Sequence, residues 1–257
     1  MPLDTSTYSL ALLRLDGRRW NELRRIHAQI SMQAAADGSS YLEMGNTKII
    51  CTVAGPAEGR RTGSGGGGSG GDNNATIQVE ISIAGFSGVD RKRRMRGDKR
   101  ISEMQTTIAN AFSNTLFTNL YPHSTITISL HVLAQDGSLL AACLNATTLA
   151  LIDAGIPMSD YIVACTSGST SSYSSNDETA DPLLDLNGLE EQELPFLTVG
   201  TLGASEKVSV LVMETRVQFG RLEGMLAVGV DGCKQVREIL DQVVRRCGKR
   251  ILKNTIT

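Results

Sequence analysis

Apolar side chains recur at every second position over the first stretch of the chain. Between Leu23 and Met32, the residues Ile26, Ala28, Ile30 and Met32 mark one face of a half-buried strand. Ser39 to Met44 and Thr47 to Val53 predict two more strands, joined through Gly45-Asn46, a dipeptide with the backbone freedom of a tight hairpin. From Gly59 to Asn74 the sequence falls into glycine and serine, which cannot bury enough surface to offset the entropy of ordering, so a mobile loop is expected. Thr76 to Ile83 resumes the strand pattern, which makes the loop an insertion within a domain.

The period then changes. Ile101, Met104, Ile108, Ala111, Phe112, Leu116 and Leu120 recur at helical spacing, predicting a helix from Asp98 to Leu120 that Tyr121-Pro122 ends. Thr125 to Leu133 alternates as a β-branched strand. Gln135-Asp136-Gly137-Ser138 turns the chain into a helix from Leu139 to Ala154, rich in alanines suited to close central packing. The second half follows a comparable plan: strands near Tyr161 to Thr166, Leu194 to Leu202 and Val208 to Glu214, then a helix from about Glu223 to Ile251. Ser167 to Ala180 is of low complexity and reads as a second loop. The whole predicts an α+β architecture of two duplicated β-α-β-α units, residues 15–158 and 159–257, sharing one core within a single domain.

Composition narrows the class. With 257 residues, 41% hydrophobic and 20% charged, the chain can bury a sizeable core, and a net charge of -2 shows no global bias toward nucleic acid. No window approaches eighteen consecutive apolar residues, so neither secretion nor a membrane span is expected. Five cysteines, an odd number without CxxC spacing, argue for reduced thiols rather than disulfides or zinc. His27, His123 and His131 lack metal-ligand spacing and read as packing or surface residues. Neither metal nor cofactor is expected. Trp20 reads as a core or interface anchor.

One local bias stands out. Seven of the ten positions from Arg91 to Arg100 are cationic, among them Arg93, Arg94, Arg96 and Lys99, a run that fits either a phosphate-tracking surface or a solvated charged loop. Arg60 and Arg61 open the glycine-rich loop.

Several short motifs occur in a fixed order: Leu15-Asp16-Gly17-Arg18-Arg19, Ala36-Asp37-Gly38-Ser39, Glu43-Met44-Gly45-Asn46-Thr47-Lys48, Gly55-Pro56, Gln135-Asp136-Gly137-Ser138, Leu149 to Met158 and Leu184-Asp185-Leu186-Asn187. Each is weak alone. As an ordered set they resemble the ribonuclease PH family, and within it the ring subunits of the RNA exosome. The resemblance implies a ring of paired ribonuclease-PH-type proteins around a channel that threads single-stranded RNA. A second ribonuclease-PH-type subunit would be the heterodimer partner, with other ring and cap subunits and an associated catalytic nuclease. It also implies work in nucleus, nucleolus and cytoplasm on rRNA processing and RNA decay, with no membrane partner.

Active members cut RNA from its 3′ end with inorganic phosphate. Two anions must meet, so the site needs guanidinium groups, helix-terminus N–H donors and a carboxylate. Where active members carry Gly-Ser-Arg, this chain reads Gly137-Ser138-Leu139. Leucine cannot replace a bidentate phosphate clamp. The family's acidic positions fall on Asp185 and Glu191. Ser138, Leu139, Asp185 and Glu191 are therefore expected to form a vestigial site with no catalytic residue, in a subunit that guides RNA. An active phosphorolytic exoribonuclease is the rival reading, and a generic RNA-binding module of the translation machinery a third. The family's RNA-gripping arginines fall on Lys99 and Arg100, and its channel-facing geometry favours RNA contact for Arg93, Arg94, Arg96, Arg60 and Arg61 as well. Asp136 reads as either an acid or a turn and cap residue.

Overall fold

The computed structural model describes residues 13–14, 16–58, 74–88, 91, 98–170, 182–203, 205–217 and 219–256. Strands β1 (Ile26–Ile30), β2 (Gly38–Met44) and β3 (Thr47–Glu58) form an antiparallel meander, and β3 runs five residues beyond the expected Val53, through a register shift between Ala54 and Ala57. Strand β4 (Thr76–Ile83) leads into helix α1 (Lys99–Ser113), which crosses over to β5 (Ser124–Ala134), and β4 and β5 pair in parallel. The first sheet has the order β1-β2-β3-β5-β4. Helix α2 (Leu139–Asp153) follows. The second sheet, ordered β7-β6-β8-β9, is antiparallel throughout and comprises β6 (Ile162–Ser169), β7 (Pro182–Leu184), β8 (Phe196–Leu202) and β9 (Val208–Met213). A short helix α3 (Gly188–Glu193) lies between β7 and β8, and the long helix α4 (Phe219–Ile256) ends the fold. Among the described residues no helix is long and apolar enough to cross a membrane.

Helix α2 is the centre of the molecule. From Ala141 to Leu151 every residue is buried, because β2 and β3 cover one side and β6 and β8 the other. Its polar residues complete the edge of β6 where β7 does not reach. The Asn145 amide accepts from Ala164 N (2.8 Å) and donates to Ala164 O (2.9 Å), and Thr148 Oγ1 donates to Ile162 O (2.7 Å). A buried strand edge needs such partners, since each unpaired peptide group would cost on the order of 1–3 kcal/mol. Ser40 Oγ ties the opposite side to Ala146 O at 2.6 Å.

Two sequence expectations fail for identifiable reasons. The helix predicted to reach Leu120 stops at Ser113, where Ser113 and Thr115 hydroxyls donate back to Asn110 O and Ala111 O. Leu116 is buried as its spacing suggested, but in an isolated bridge to Met158, and Leu120 sits exposed in a single 3-10 turn. The loop expected from Ser167 begins too early, because Ser167, Gly168 and Ser169 belong to β6, hydrogen-bonded on both sides and buried. The rest of that low-complexity stretch, and residues 59–73 of the glycine-rich one, lie outside the described residues. The strand β7 and helix α3 had no counterpart in the hydrophobic pattern.

Gly38 marks where β2 meets α2 most closely, for a Cβ there would stand 2.5 Å from Ala154 N and press on the Ala150 carbonyl. Overpacking of this kind costs about 1–3 kcal/mol. Gly38→Ala is expected to lower Tm by several degrees in a thermal melt, and an unchanged Tm would show that α2 can shift without penalty.

Candidate functional site

The chain motifs meet at one buried carboxylate. Asp185 follows β7 with a left-handed φ of 51° and no exposed surface. Its Oδ2 accepts from Arg24 N (2.9 Å) and Arg24 Nε (3.0 Å), and its Oδ1 from Arg24 Nη2 (2.7 Å) and Ser138 Oγ (3.1 Å). Burial alone would push this carboxyl up, but the Arg24 guanidinium and its hydrogen bonds outweigh burial and hold it below the usual carboxylate range. The remaining Arg24 nitrogen, Nη1, donates to Asp136 O at 2.5 Å.

A second tier of arginines holds the backbone around that pair. Arg18 Nη1 and Arg14 Nη2 both donate to Asp185 O at 3.0 Å, and Arg14 Nη1 to Leu184 O at 2.5 Å. Arg14 also grips Glu190 through Nε (2.9 Å) and Nη2. Arg18 Nη2 donates to Asn187 Oδ1 at 3.1 Å. Asn187 caps α3 in a reciprocal box with Glu190, whose carboxylate accepts from the Asn187 N–H. Asp136 is a joint as well: Oδ1 accepts from Gly188 N (3.0 Å) and Oδ2 from Asn46 Nδ2 (2.9 Å). Thr47 Oγ1 donates to Gly137 O at 2.8 Å and accepts from Asp136 N at 3.1 Å. Of the two readings open for Asp136, the geometry favours the turn residue.

This packing fixes the start of α2. Ser138 is its N-cap, in a left-handed conformation, and its hydroxyl faces Asp185 Oδ1 and Leu186 O rather than open space. Leu139 is buried as the first helical residue. Glu191, half-buried on α3, lies against the Ser138 backbone N–H with Arg100 nearby. Burial pushes the Glu191 carboxyl up, Glu214 adds to the rise, and Arg100 and the Ser138 amide offset it only in part. Arg100 itself forms an exposed ion pair with Glu214 at 2.5 Å.

The structure thus gathers Ser138, Leu139, Asp185, Glu191 and Arg100 at one place. Lys99 opens α1 one residue from Arg100, exposed. Arg60, Arg61, Arg93, Arg94 and Arg96 lie outside the described residues. Sequence reasoning missed Arg14, Arg24 and Glu190. The Asn187-x-x-Glu190 spacing was a readable capping signal, whereas nothing local marks Arg24, whose partner lies 161 residues away. Among the described residues no group of three His, Cys, Asp or Glu side chains gathers to hold a metal. An anion here would meet the N-terminal turn of α2, where Glu191 already takes the Ser138 amide, and the Arg100 guanidinium.

Residues 22–157 match the family model described as 3′ exoribonuclease family, domain 1, the RNase PH domain. The chain belongs to the RNase PH family. Its RNase PH relatives include exosome complex component SKI6 of Saccharomyces cerevisiae, 42% identical over 96% of this chain and 96% of that protein. Exosome complex component RRP41 of Homo sapiens is 40% identical over 91% of each chain. Among solved RNase PH structures, rice Rrp46 gives a TM-score of 0.73 at 23% identity, over 90% of this chain and 100% of that one. A chain of the Archaeoglobus fulgidus exosome with RNA bound to the active site gives 0.73 at 19% identity, over 91% of this chain and 95% of that one. Identities so low speak for the fold alone, and that fold is the α+β ribonuclease PH architecture the motifs implied.

Two expectations follow for this RNase PH site. Asp185→Ala leaves Arg24 buried and unpaired, which should cost about 3–5 kcal/mol and lower Tm by about 6–20 °C. Because the folded-state pKa of Asp185 is depressed, the pair's contribution is complete above about pH 4 and is lost as pH falls below that. Denaturant melts should show a gap between wild type and variant that is constant from neutral pH down to about pH 5 and narrows below about pH 4; a gap independent of pH would exclude the ion pair as its source. Glu191 has the opposite sign: its raised pKa penalises the folded, ionised form at neutral pH. Glu191→Gln should therefore stabilise the protein at pH 7, with the advantage vanishing toward about pH 4. Destabilisation at pH 7 would mean the carboxylate is needed as an ion.

Proposed function

We propose that this chain is a non-catalytic core-ring subunit of an RNA exosome, which lines the central channel and guides single-stranded RNA for 3′-to-5′ processing and decay. The exosome assignment is supported by the exosome components of yeast and human that are 42% and 40% identical to it over more than nine-tenths of its length. The observation that carries the lack of catalysis is the commitment of the site's groups to one another. Asp185 and the Ser138 hydroxyl are engaged with Arg24 and each other, and Leu139 fills buried space where active relatives would hold a guanidinium.

Phosphorolysis must seat orthophosphate beside a phosphodiester, so several charges need neutralising together. Removing one preorganised donor from such a site costs on the order of 2.7–4 kcal/mol, a rate loss of about 100- to 1,000-fold. Lys99 and Arg100 at the start of α1 can still hold a phosphate backbone, without reading sequence. The partners on this reading are a second RNase-PH-type subunit as heterodimer mate, other ring and cap subunits, an associated catalytic nuclease, and RNA. It acts in nucleus, nucleolus and cytoplasm, in rRNA processing and RNA turnover. The alternative, a phosphate-dependent 3′-to-5′ exoribonuclease, draws on one feature: the Ser138 amide at the start of α2 and Arg100 both act on Glu191.

The deciding experiment assembles the chain with an RNase-PH-type partner that itself lacks activity and supplies 3′-labelled RNA with inorganic phosphate. No phosphate-dependent release of nucleoside diphosphate is expected. Release that requires phosphate and disappears in Arg100→Ala would overturn the non-catalytic assignment.

A further inference from the structure

The last three turns of α4 carry Arg245, Arg246, Lys249, Arg250 and Lys253, all exposed. At about 100° per residue, these five fall within about 140° of the helix circumference, one continuous stripe. The opposite face carries Val243, Val244 and Cys247, which pack on the main core and fix the helix in place. The packing anchors the helix as far as Cys247, and the helix carries the rest of the stripe beyond it.

Cations earlier on the same helix already have acidic partners. Lys234 pairs with Glu206 and Asp231, and Arg237 with Asp160. Among the described residues no ion pair engages Arg245, Arg246, Lys249 or Arg250; Arg250 donates only to Cys247 Sγ at 3.7 Å, and Arg245 faces the Tyr161 region. Glu238 and Asp241 lie on the turns before the stripe. The helix dipole accounts for little of this, since it acts within the last turn, and Arg245 and Arg246 stand about three turns before Ile256.

The stripe also lies far from the Asp185 pocket. Gly232 of α4 packs beside Cys165 and Leu184, and Arg237 reaches Asp160 just before the start of β6, whereas Asp185 sits at the other end of that strand. From Arg237 the helix runs on away from the pocket, adding about 12 Å by Arg245 at 1.5 Å per residue. Arg245, Lys249 and Lys253 are spaced about 6 Å apart along the axis, a ladder comparable with successive phosphates on an extended strand. No aromatic side chain interrupts it, so the stripe itself carries no base-stacking platform.

We propose that the basic stripe from Arg245 to Lys253 is a second single-stranded RNA surface, holding the phosphate backbone outside the site formed by Asp185, Glu191 and Arg100. The choice of RNA rests on the exosome reading. The stripe gives the strand a sequence-independent, salt-sensitive contact remote from Lys99 and Arg100.

The test measures anisotropy of a labelled oligouridine on the full chain paired with an RNase-PH-type partner, across a salt series. R246E/K249E/R250E should weaken binding about tenfold or more at low salt and flatten the log–log salt slope by about 2, at about 0.7 per phosphate contact for a single strand. The neutral R246Q/K249Q/R250Q should give a smaller change of the same sign, which guards against misfolding of the reversed variant. An unchanged slope in both, with Tm retained, overturns the proposal. So does loss of the partner subunit on gel filtration with RNA binding intact, which would make the stripe a protein contact. K99E/R100E serves as the second arm. Weakening by that pair alone removes the stripe and keeps the channel reading, and weakening by the stripe variants alone does the reverse.

Discussion

The fold is organised around the ion pair between Arg24 and Asp185. A carboxylate with no exposed surface could not stay ionised without a partner of this quality, and three of its four close contacts come from the one arginine residue. The pair joins pieces that no local interaction would bring together: the approach to β1, the turn before α2 and the end of β7. Arg24 reaches on to Asp136 O, and Arg14 and Arg18 satisfy the carbonyls of Leu184 and Asp185. The left-handed backbone at Asp185 is tolerated because every polar atom of the residue is then satisfied. Breaking the pair removes the link that ties all three pieces at once, and leaves the bonds of Thr47 to Gly137 and of Ser138 to Leu186 to hold the start of α2.

This explains what the sequence could and could not disclose. The motifs that mark the family in linear order are contact partners in space: Asp16-Gly17-Arg18 meets Asp185-Leu186-Asn187, and Asn46-Thr47 meets Asp136-Gly137. Their identity was legible, but their pairing was not, since it spans from 89 to 171 residues of chain. Period-two and helical patterns found β1 to β5 and α1, where one chemical face meets one environment. The pattern misled where burial came from both sides, as at Ser167, Gly168 and Ser169, whose small polar side chains look like loop and are core. It misled again at Leu116, where an apolar residue at helical spacing serves a bridge to Met158 after the helix has ended. Arg24 sits in a stretch that reads as an ordinary half-buried strand.

A carboxylate that holds the sheets and α2 together is constrained by folding whatever chemistry surrounds it. Asp185 can therefore remain in place when the residue at 139 is leucine, because stability alone demands it. Glu191 is under no such demand. Burial works against its charge beside the Ser138 amide, and a carboxylate there would compete with any external anion for that donor. The same few atoms serve structure on one side of the α2 start and oppose anion binding on the other.

The cations divide by the same logic. Arg14 and Arg24 are buried and each is engaged by a carboxylate, so neither can turn to a phosphate without leaving a buried anion behind. Arg100 is different in kind: its pair with Glu214 is exposed on both sides, and such surface pairs contribute about 0–1 kcal/mol. On the proposed RNA-guiding role, exchanging Glu214 for an RNA phosphate would cost almost nothing in stability and would release counterions from the strand. A protein of near-neutral net charge can thus hold a polyanion, provided that its exposed guanidinium groups are the weakly committed ones and its buried ones are not.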